Sequence, residues 1–161
     1  MQDKIGWIGL GSMGNRMAKN LAKNGYQMLV TDKMDTSAAP QSAHVATTNS
    51  EVISEANILI LSIPAGPDTL EITQEILNSP SSSVEIVIDT STIGIPDAKK
   101  AAELLSKKGI EYVDAPVSGG IAGADSATLA VMVGCKEDIF EKVQPILKCI
   151  GANIFHVGPN P

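Results

Sequence analysis

The sequence predicts an α/β fold built on a doubly wound, mostly parallel sheet. Strand and helix patterns alternate along the whole chain, and some strands are continuous apolar runs, such as residues 58–61. Such runs are typical of strands buried on both faces, and the alternation is typical of a parallel sheet covered by helices. No internal repeat or low-complexity tract interrupts the pattern. Because 161 residues suit one domain, we assign residues 1–161 to a single domain.

The first half of the chain contains three apolar runs that predict strands, at residues 4–9, 28–31 and 58–61. A helix is expected at 13–23, because Met13, Met17 and Leu21 recur at helical spacing. Gly25 follows this helix, as expected of a C-terminal cap.

Between the second and third strands the pattern is weaker. Residues 33–48 are polar and lack periodicity, which indicates a loop with at most a short helix. Thr48 or Asn49 is expected to cap a brief helix that runs through Glu55.

The second half of the chain continues the alternation. Strands are expected at 84–88, 110–113, 129–133 and 153–157, and helices at 67–78, 96–108 and 137–149. The helix at 96–108 has a proline in its first turn and Gly109 after its end, which are the positions these residue types favour.

The composition narrows the classes of function. Hydrophobic residues make up 43% and charged residues 19%, which is typical of a folded, soluble protein. The net charge of −6 argues against nucleic acid as a partner. No apolar run approaches the roughly 20 residues that cross a bilayer, so no membrane partner is expected. The N-terminal residues show no signal or transit pattern, so we expect a cytoplasmic protein.

Metal binding is also not predicted. Cys135 and Cys149 have no nearby cysteine partner in the sequence, and we expect them to be reduced and buried. His44 and His156 lie far apart in the chain, so we interpret both as structural or surface residues.

The glycine-rich segment Gly9-Leu10-Gly11-Ser12-Met13-Gly14 lies between the first strand and the first helix. In the order strand, glycine turn, helix, second strand and acid, it is the fingerprint of a Rossmann-type dinucleotide-binding domain. Gly9 lets the chain turn out of the strand, Gly11 leaves room for a pyrophosphate, and Gly14 lets the helix approach the sheet. A glycine turn without a ligand is the alternative interpretation.

Asp32 ends the second strand and supplies the acid of that fingerprint. Its carboxylate can accept hydrogen bonds from the adenosine ribose, and its charge would repel a 2′-phosphate. The expected cofactor is therefore NAD rather than NADP, although Lys33 could offset part of the repulsion.

Ligands of such sheets bind beyond the carboxyl ends of the strands, where the strand order reverses. The usual order would place the glycine strand beside the strand at 84–88. We therefore expect the polar segment Asp89-Thr90-Ser91-Thr92 next to the glycine loop, with hydroxyls that could hydrogen-bond the nicotinamide end. Simple capping of the following helix is the alternative.

A second polar turn, Ser118-Gly119-Gly120, follows the strand at 110–113. A small hydroxyl followed by two glycines exposes successive backbone N–H groups, which suits a carboxylate or phosphate. A tight turn that needs glycine for its backbone angles would contain the same residues.

Taken together, the segments 8–14, 89–92 and 114–120 resemble the β-hydroxyacid dehydrogenase family, in family order and over nearly the whole chain. The resemblance implies a small-molecule 3-hydroxy acid as substrate, NAD as cofactor and a homo-oligomer for the full-length enzyme. It implies that residues 9–14 hold the pyrophosphate and that Asp32 holds the ribose. The resemblance further implies cofactor contacts from Ile63, Pro64 and Thr92, and substrate-carboxylate contacts from Ser118, Gly119 and Gly120.

The chain also departs from the family pattern. Ala127 stands where the family usually has glycine, and Cys135 replaces a second glycine; we expect local repacking at both. The family's general base is a lysine shortly after a His-Val-Gly-Pro segment, which this chain has at 156–159. No lysine here matches that motif, so no catalytic residue is assigned. The lysine and the family's helical domain are expected to lie beyond Pro161, and the chain alone is expected to turn over poorly or not at all.

Two other functions stay open on the sequence. One is a stand-alone NAD(H)-binding module that senses redox state or docks onto a partner. The other is the N-terminal domain of a different enzyme, such as a 6-phosphogluconate dehydrogenase or an imine reductase.

Overall fold

The computed structural model describes residues 3–159 as nine strands and six helices. The strands are β1 (Ile5–Ile8), β2 (Met28–Thr31), β3 (His44–Val45), β4 (Ile58–Leu61), β5 (Ile86–Asp89), β6 (Glu111–Asp114), β7 (Val117–Ser118), β8 (Leu129–Gly134) and β9 (Gly151–Gly158). The helices are α1 (Gly14–Lys23), α2 (Asn49–Glu55), α3 (Gly66–Asn78), α4 (Ile95–Ser106), α5 (Gly120–Ser126) and α6 (Glu137–Leu147).

All nine strands form one sheet. Hydrogen-bonded neighbours run in the order β3-β2-β1-β4-β5-β6-β8, and β7 and β9 each pair with β8. The pairings are parallel except for those of β8 with β6 and with β7. The predicted α/β class with a doubly wound, mostly parallel sheet is therefore confirmed.

Helices cover both faces of the sheet, as the continuous apolar strands require. One face packs against α1, α5 and α6, and the other packs against α2, α3 and α4. Helix α1 shows how the sequence achieves this, because Met17 and Leu21, four residues apart, are fully buried. Among residues 3–159, no helix combines the length and the apolar character needed to cross a membrane.

The expected position of the strand at 84–88 is wrong. The segment predicted as a loop at 33–48 contains β3, which pairs with β2 through His44 and Val45. Because β3 is the third strand of the usual order, the strand beside β1 is β4, and β5 lies one strand further away. Both residues of β3 are exposed, so the sequence carries no apolar signal for it.

Two further elements lie where a polar turn was expected. Ser118 belongs to the short strand β7, and helix α5 begins at Gly120. This seven-residue helix consists mainly of glycine, alanine and small polar residues, which produce no apolar periodicity. By contrast, the predicted cap of α2 is confirmed: the Thr48 side chain accepts a hydrogen bond from the Glu51 N–H.

Ala127 ends α5 in the left-handed region, with φ +56° and ψ +37°. It is the one non-glycine residue with positive φ among those described. This conformation costs an L-residue roughly 1–2 kcal/mol and costs glycine nothing comparable. A glycine at this position would avoid that cost, so the alanine leaves local strain in the backbone.

His156 has a structural role, within the expectation. Its ring stacks on Phe140 with centroids 4.4 Å apart, and its Nε2 lies 2.7 Å from the Cys135 carbonyl oxygen. These contacts fasten β9 to α6 and to the end of β8. Cys135 and Cys149 are both buried and free.

Two carboxyl groups lie side by side at the carboxyl ends of β5 and β6, where Asp89 is the register partner of Asp114. Asp89 has 0% exposure and accepts hydrogen bonds from the hydroxyls of Thr69 and Tyr112. Burial raises the pKa of Asp89, and these donors together with Ser91 oppose that rise. Burial, and secondarily the charge of Asp89, raises the pKa of Asp114 to about 6.

We expect Ala127→Gly to raise the free energy of unfolding by about 1 kcal/mol, because glycine relieves the left-handed strain. Urea denaturation of both chains measures the difference. Ala122→Gly, inside the same helix, is the matched control and should lower stability by about 0.5–1 kcal/mol. A loss of stability in both variants would contradict the strain at Ala127.

Asp114 makes stability depend on pH. Between about pH 4 and pH 6, the folded protein keeps a proton on Asp114 that the unfolded chain has released. The stabilising contribution of the neutral carboxyl is therefore complete below about pH 4 and is lost as the pH rises through 6.

Asp114→Asn mimics the neutral carboxyl at every pH. We expect this variant to exceed the wild type in unfolding free energy by on the order of 1–2 kcal/mol at pH 7.5, after screening by solvent. At pH 4 the two should be equal. Urea denaturation at both pH values checks this, and a difference that does not change with pH would refute it.

Candidate functional site

A cleft of about 1100 Å³ lies at the carboxyl ends of β1, β2 and β4. Its volume lies slightly above the usual range for small-molecule sites, about 300–1,000 Å³. The lining residues come from four loops and one helix face, namely 8–16, 31–35, 47–49, 62–64 and Asp68, Glu71, Ile72 and Glu75 of α3. The cleft therefore contains the whole glycine segment.

The glycine segment takes a shape that larger residues would prevent. Gly9 has φ +103°, and a Cβ there would collide with the carbonyl oxygen of Ser62 in the neighbouring loop. A Cβ on Gly14 would collide with the carbonyl oxygen of Gly9. Because both collisions involve backbone atoms, only glycine at 14 lets α1 lie this close to the end of β1, and only glycine at 9 lets that turn lie this close to the loop after β4.

Gly11 differs from the other two glycines of the segment. A Cβ built there meets no atom within 4 Å, so the protein itself does not need glycine at this position. The residue is exposed and lines the cleft. Open space above the backbone is what a closely approaching pyrophosphate requires, so this observation fits a bound dinucleotide.

Helix α1 starts directly at the cleft. Met13 is its N-cap and, within residues 3–159, no side chain caps this end of the helix. The first N–H groups of a helix have no acceptor inside the helix, and the dipole makes that end positive. The ten-residue helix thus offers donors and partial positive charge to an anion beside Gly11.

Asp32 lies at the end of β2 on the adjacent side of the cleft. Its Oδ2 accepts a hydrogen bond from the Leu10 N–H at 2.6 Å, and its Oδ1 accepts from the Met34 and Asp35 N–H groups at 2.7 and 3.1 Å. Burial acts to raise the pKa of Asp32, but the three backbone donors outweigh it and lower the pKa. The Asp32 carboxylate is therefore an anion, and its hydrogen bonds connect the glycine loop to the residues that follow β2.

Ile63 and Pro64 follow β4, the strand beside β1, and both line the cleft. One cleft thus contains residues 9–14, predicted to bind the pyrophosphate, and Asp32, predicted to bind the ribose. It also contains Ile63 and Pro64, which were predicted to contact the cofactor. Thr92, Ser118, Gly119 and Gly120 are exposed and lie outside the lining of this cleft.

The segment at 89–92 is not arranged as expected. Asp89, Thr90 and Ser91 are buried, and their polar atoms bind the protein itself. Thr90 donates to the Leu61 carbonyl oxygen, and Ser91 accepts from the Ile63 N–H. The capping alternative is also wrong, because Gly94 is the N-cap of α4 and provides no side chain. Thr92 alone of the four is exposed.

Ser118, Gly119 and Gly120 lie further along the same edge of the sheet, since β7 continues in the direction of β6. Helix α5, which begins at Gly120, is fixed to α1 by two contacts. Asn20 Nδ2 donates to the Ala124 carbonyl oxygen at 2.6 Å, and Arg16 Nε lies 2.8 Å from Asp125 Oδ1.

Arg16 also donates from Nη1 to the Ser12 carbonyl oxygen at 2.6 Å. Its guanidinium therefore connects the glycine loop to the helix that follows Ser118. From the sequence, Arg16 is interpreted as part of a solvated helix face, whereas its contacts with Ser12 and Asp125 hold the side chain in place.

The acidic side of the cleft was also missed. Asp68, Glu71 and Glu75 lie on one face of α3 and face the glycine loop across the cleft, where Asp35 adds a fourth exposed or half-buried carboxylate. Their spacing along a predicted helix was available in the sequence, but nothing there shows which face meets the cleft. Among residues 3–159, no three His, Cys, Asp or Glu side chains are grouped to hold a metal ion.

Comparison with known proteins agrees with this geometry. The family model described as the NAD binding domain of 6-phosphogluconate dehydrogenase matches residues 4–158. A 2-(hydroxymethyl)glutarate dehydrogenase of Eubacterium barkeri is 40% identical over 96% of this chain and 53% of its own length. The chain thus spans about half the length of the curated relatives it matches.

Solved structures give the same result. A Mycobacterium tuberculosis 3-hydroxyisobutyrate dehydrogenase, with L-serine, has a TM-score of 0.90 and 33% identity, over 99% of this chain and 56% of that one. An imine reductase variant from Myxococcus stipitatus in complex with NAD+ has a TM-score of 0.85 at 19% identity, over 98% of this chain and 55% of that one, which shows a shared fold alone. Because the family match spans nearly every described residue, the chain belongs to the β-hydroxyacid dehydrogenase family, as its N-terminal NAD-binding domain.

Proposed function

We propose that residues 1–161 form one dinucleotide-binding domain that binds NAD(H) in the glycine-loop cleft and serves a 3-hydroxy acid dehydrogenase. One observation carries the proposal: the space above Gly11 is open, although Gly9 and Gly14 are tightly packed against backbone. Glycine at 9 and 14 satisfies the fold, whereas glycine at 11 leaves room for a ligand. Family membership supports the same assignment.

Different residues of the cleft would bind different parts of the cofactor. Backbone N–H groups at residues 11–14 would bind the pyrophosphate, and Asp32 would accept hydrogen bonds from the adenosine ribose. Leu10, Ser12 and Met13 would shape the loop around the pyrophosphate. When bound, the nicotinamide supplies the hydride chemistry, and the protein supplies binding and orientation.

The charges around the cleft favour NAD over NADP. Asp32 stays ionised, and Asp35, Asp68, Glu71 and Glu75 add four carboxylates to the lining, against the cations Arg16 and Lys33. A 2′-phosphate would bring about two more negative charges close to Asp32, into a lining where carboxylates outnumber cations.

The substrate would lie further along the same edge of the sheet. Ser118, Gly119 and Gly120 would bind the carboxylate of a small 3-hydroxy acid, and Thr92 would contact the nicotinamide side. Their order supports this, since Thr92 follows β5 and Ser118 lies beyond β6, on the far side of β4 from Asp32. We assign no general base to a residue of this chain. We also propose that the full-length enzyme is a homo-oligomer.

Gly11→Ala tests the cleft without disturbing the fold. We expect the melting temperature to stay unchanged, because the added methyl group meets no protein atom. NADH affinity, measured by calorimetric titration of the chain, should fall at least about tenfold, because the methyl group would occupy the space of the pyrophosphate.

Gly25→Ala is the reciprocal control. It also meets no atom within 4 Å, but φ is +88° there, so it should lose about 1 kcal/mol of stability and keep its NADH affinity. Unchanged NADH binding in Gly11→Ala would contradict the proposed site.

Asp32→Ala tests the choice of cofactor. We expect the wild type to bind NADPH at least about tenfold more weakly than NADH, and the variant to lose most of that preference, because the repelling charge is gone. Asp35→Ala removes a nearby carboxylate of the same cleft and should change the ratio of the two dissociation constants less. An unchanged ratio in Asp32→Ala would show that this carboxylate does not select the cofactor.

A further inference from the structure

A buried chain of hydrogen bonds supports the wall of the cleft from behind. The Ile63 N–H donates to Ser91 Oγ at 2.9 Å, and the Ser91 N–H donates to Asp89 Oδ1 at 2.9 Å. The Ser91 side chain also hydrogen-bonds the Asp89 carboxylate. The hydroxyl of Ser91 therefore links the backbone of the β4–α3 turn to a buried carboxylate on the next strand.

Asp89 is itself held from several sides. Thr69 of α3 donates its hydroxyl at 2.8 Å, and Tyr112 of β6 donates at 3.1 Å, both to Oδ2. Because both carboxylate oxygens have fixed donors, Asp89 and hence Ser91 have little freedom to move. The turn at Ile63 is thus positioned by groups from α3, β5 and β6.

The order of the strands shows which part of a dinucleotide this turn would meet. Along the edge of the sheet, Asp32 follows β2, the glycine loop follows β1, and Ile63 follows β4. With the ribose at Asp32 and the pyrophosphate at the glycine loop, the cofactor reaches β4 with its nicotinamide half. Ser91 and Asp89 do not line the cleft, so they would act only through the turn.

We propose that Ser91 and Asp89 are positioning residues for the nicotinamide half of the cofactor, holding the Ile63–Pro64 turn through the hydrogen bond between the Ile63 N–H and Ser91 Oγ. This inference rests on the proposed binding of NAD(H). It separates the cofactor site into an adenosine half that Asp32 and the glycine loop shape and a nicotinamide half that depends on β5.

Two ligands distinguish positioning from a general contribution to stability. NADH contains the nicotinamide, whereas ADP-ribose contains the adenosine, the pyrophosphate and the second ribose without it. A loss of overall structure would weaken the binding of both ligands, but a displaced turn at Ile63 would weaken only the binding of NADH.

The experiment titrates the wild-type chain and Ser91→Ala with NADH and with ADP-ribose. We expect Ser91→Ala to weaken the binding of NADH roughly three- to tenfold, the usual effect of one lost hydrogen bond. The affinity for ADP-ribose should stay within about twofold of the wild-type value. Ser91→Thr, which keeps the hydroxyl, should restore most of the NADH affinity.

Ser83→Ala is the matched control, because its hydroxyl donates at 2.7 Å to the Ser54 carbonyl oxygen at the opposite end of the sheet. It should change neither affinity. If Ser91→Ala fails to fold, Thr69→Val, which keeps the side-chain shape and removes one donor to Asp89, should give a smaller selective loss of NADH.

If Ser91→Ala bound NADH and ADP-ribose equally more weakly, or if its affinity for neither ligand fell, the inference would be overturned. Failure of the wild-type chain to bind both ligands would instead refute the proposed function, whatever the variants do.

Discussion

The close approach of α1 to the end of β1 is the constraint on which the site depends. Gly14 rests against the carbonyl oxygen of Gly9, and Gly9 rests against the carbonyl oxygen of Ser62. These backbone contacts bring the start of α1 to the rim of the sheet, between Asp32 and Ile63. The positions of the helix dipole, the ribose-binding carboxylate and the β4 turn relative to one another all follow from this packing.

The carboxyl edge of the sheet uses its polar groups in two ways. Near β1 and β2 the backbone donors and carboxylates border open space, and Asp32 is stabilised as an anion by three N–H groups. At β5 and β6 the carboxyl groups turn inward, and burial raises the pKa of both Asp89 and Asp114. One part of the edge is thus available to a ligand, whereas the other fixes the elements that surround it.

Local sequence patterns were sufficient for β1, α1, β2 and β4, because buried runs and helical spacing are properties of neighbouring residues. They were insufficient for β3, since His44 and Val45 are exposed and pair only through their backbones. That omission displaced β5 in the expected order. The sequence likewise showed polar side chains after β5, but not that hydroxyls from α3 and β6 draw Asp89 inward.

The contact between Gly9 and Ser62 also has a consequence for folding. Ser62 follows β4, which pairs with β1 although the two strands are far apart in sequence. The glycine loop therefore cannot reach its final shape through local contacts alone, and it must await closure of the long intervening segment. Cofactor affinity should consequently appear late in refolding, after most helical signal has formed, and partly folded chains should be unable to compete for the dinucleotide.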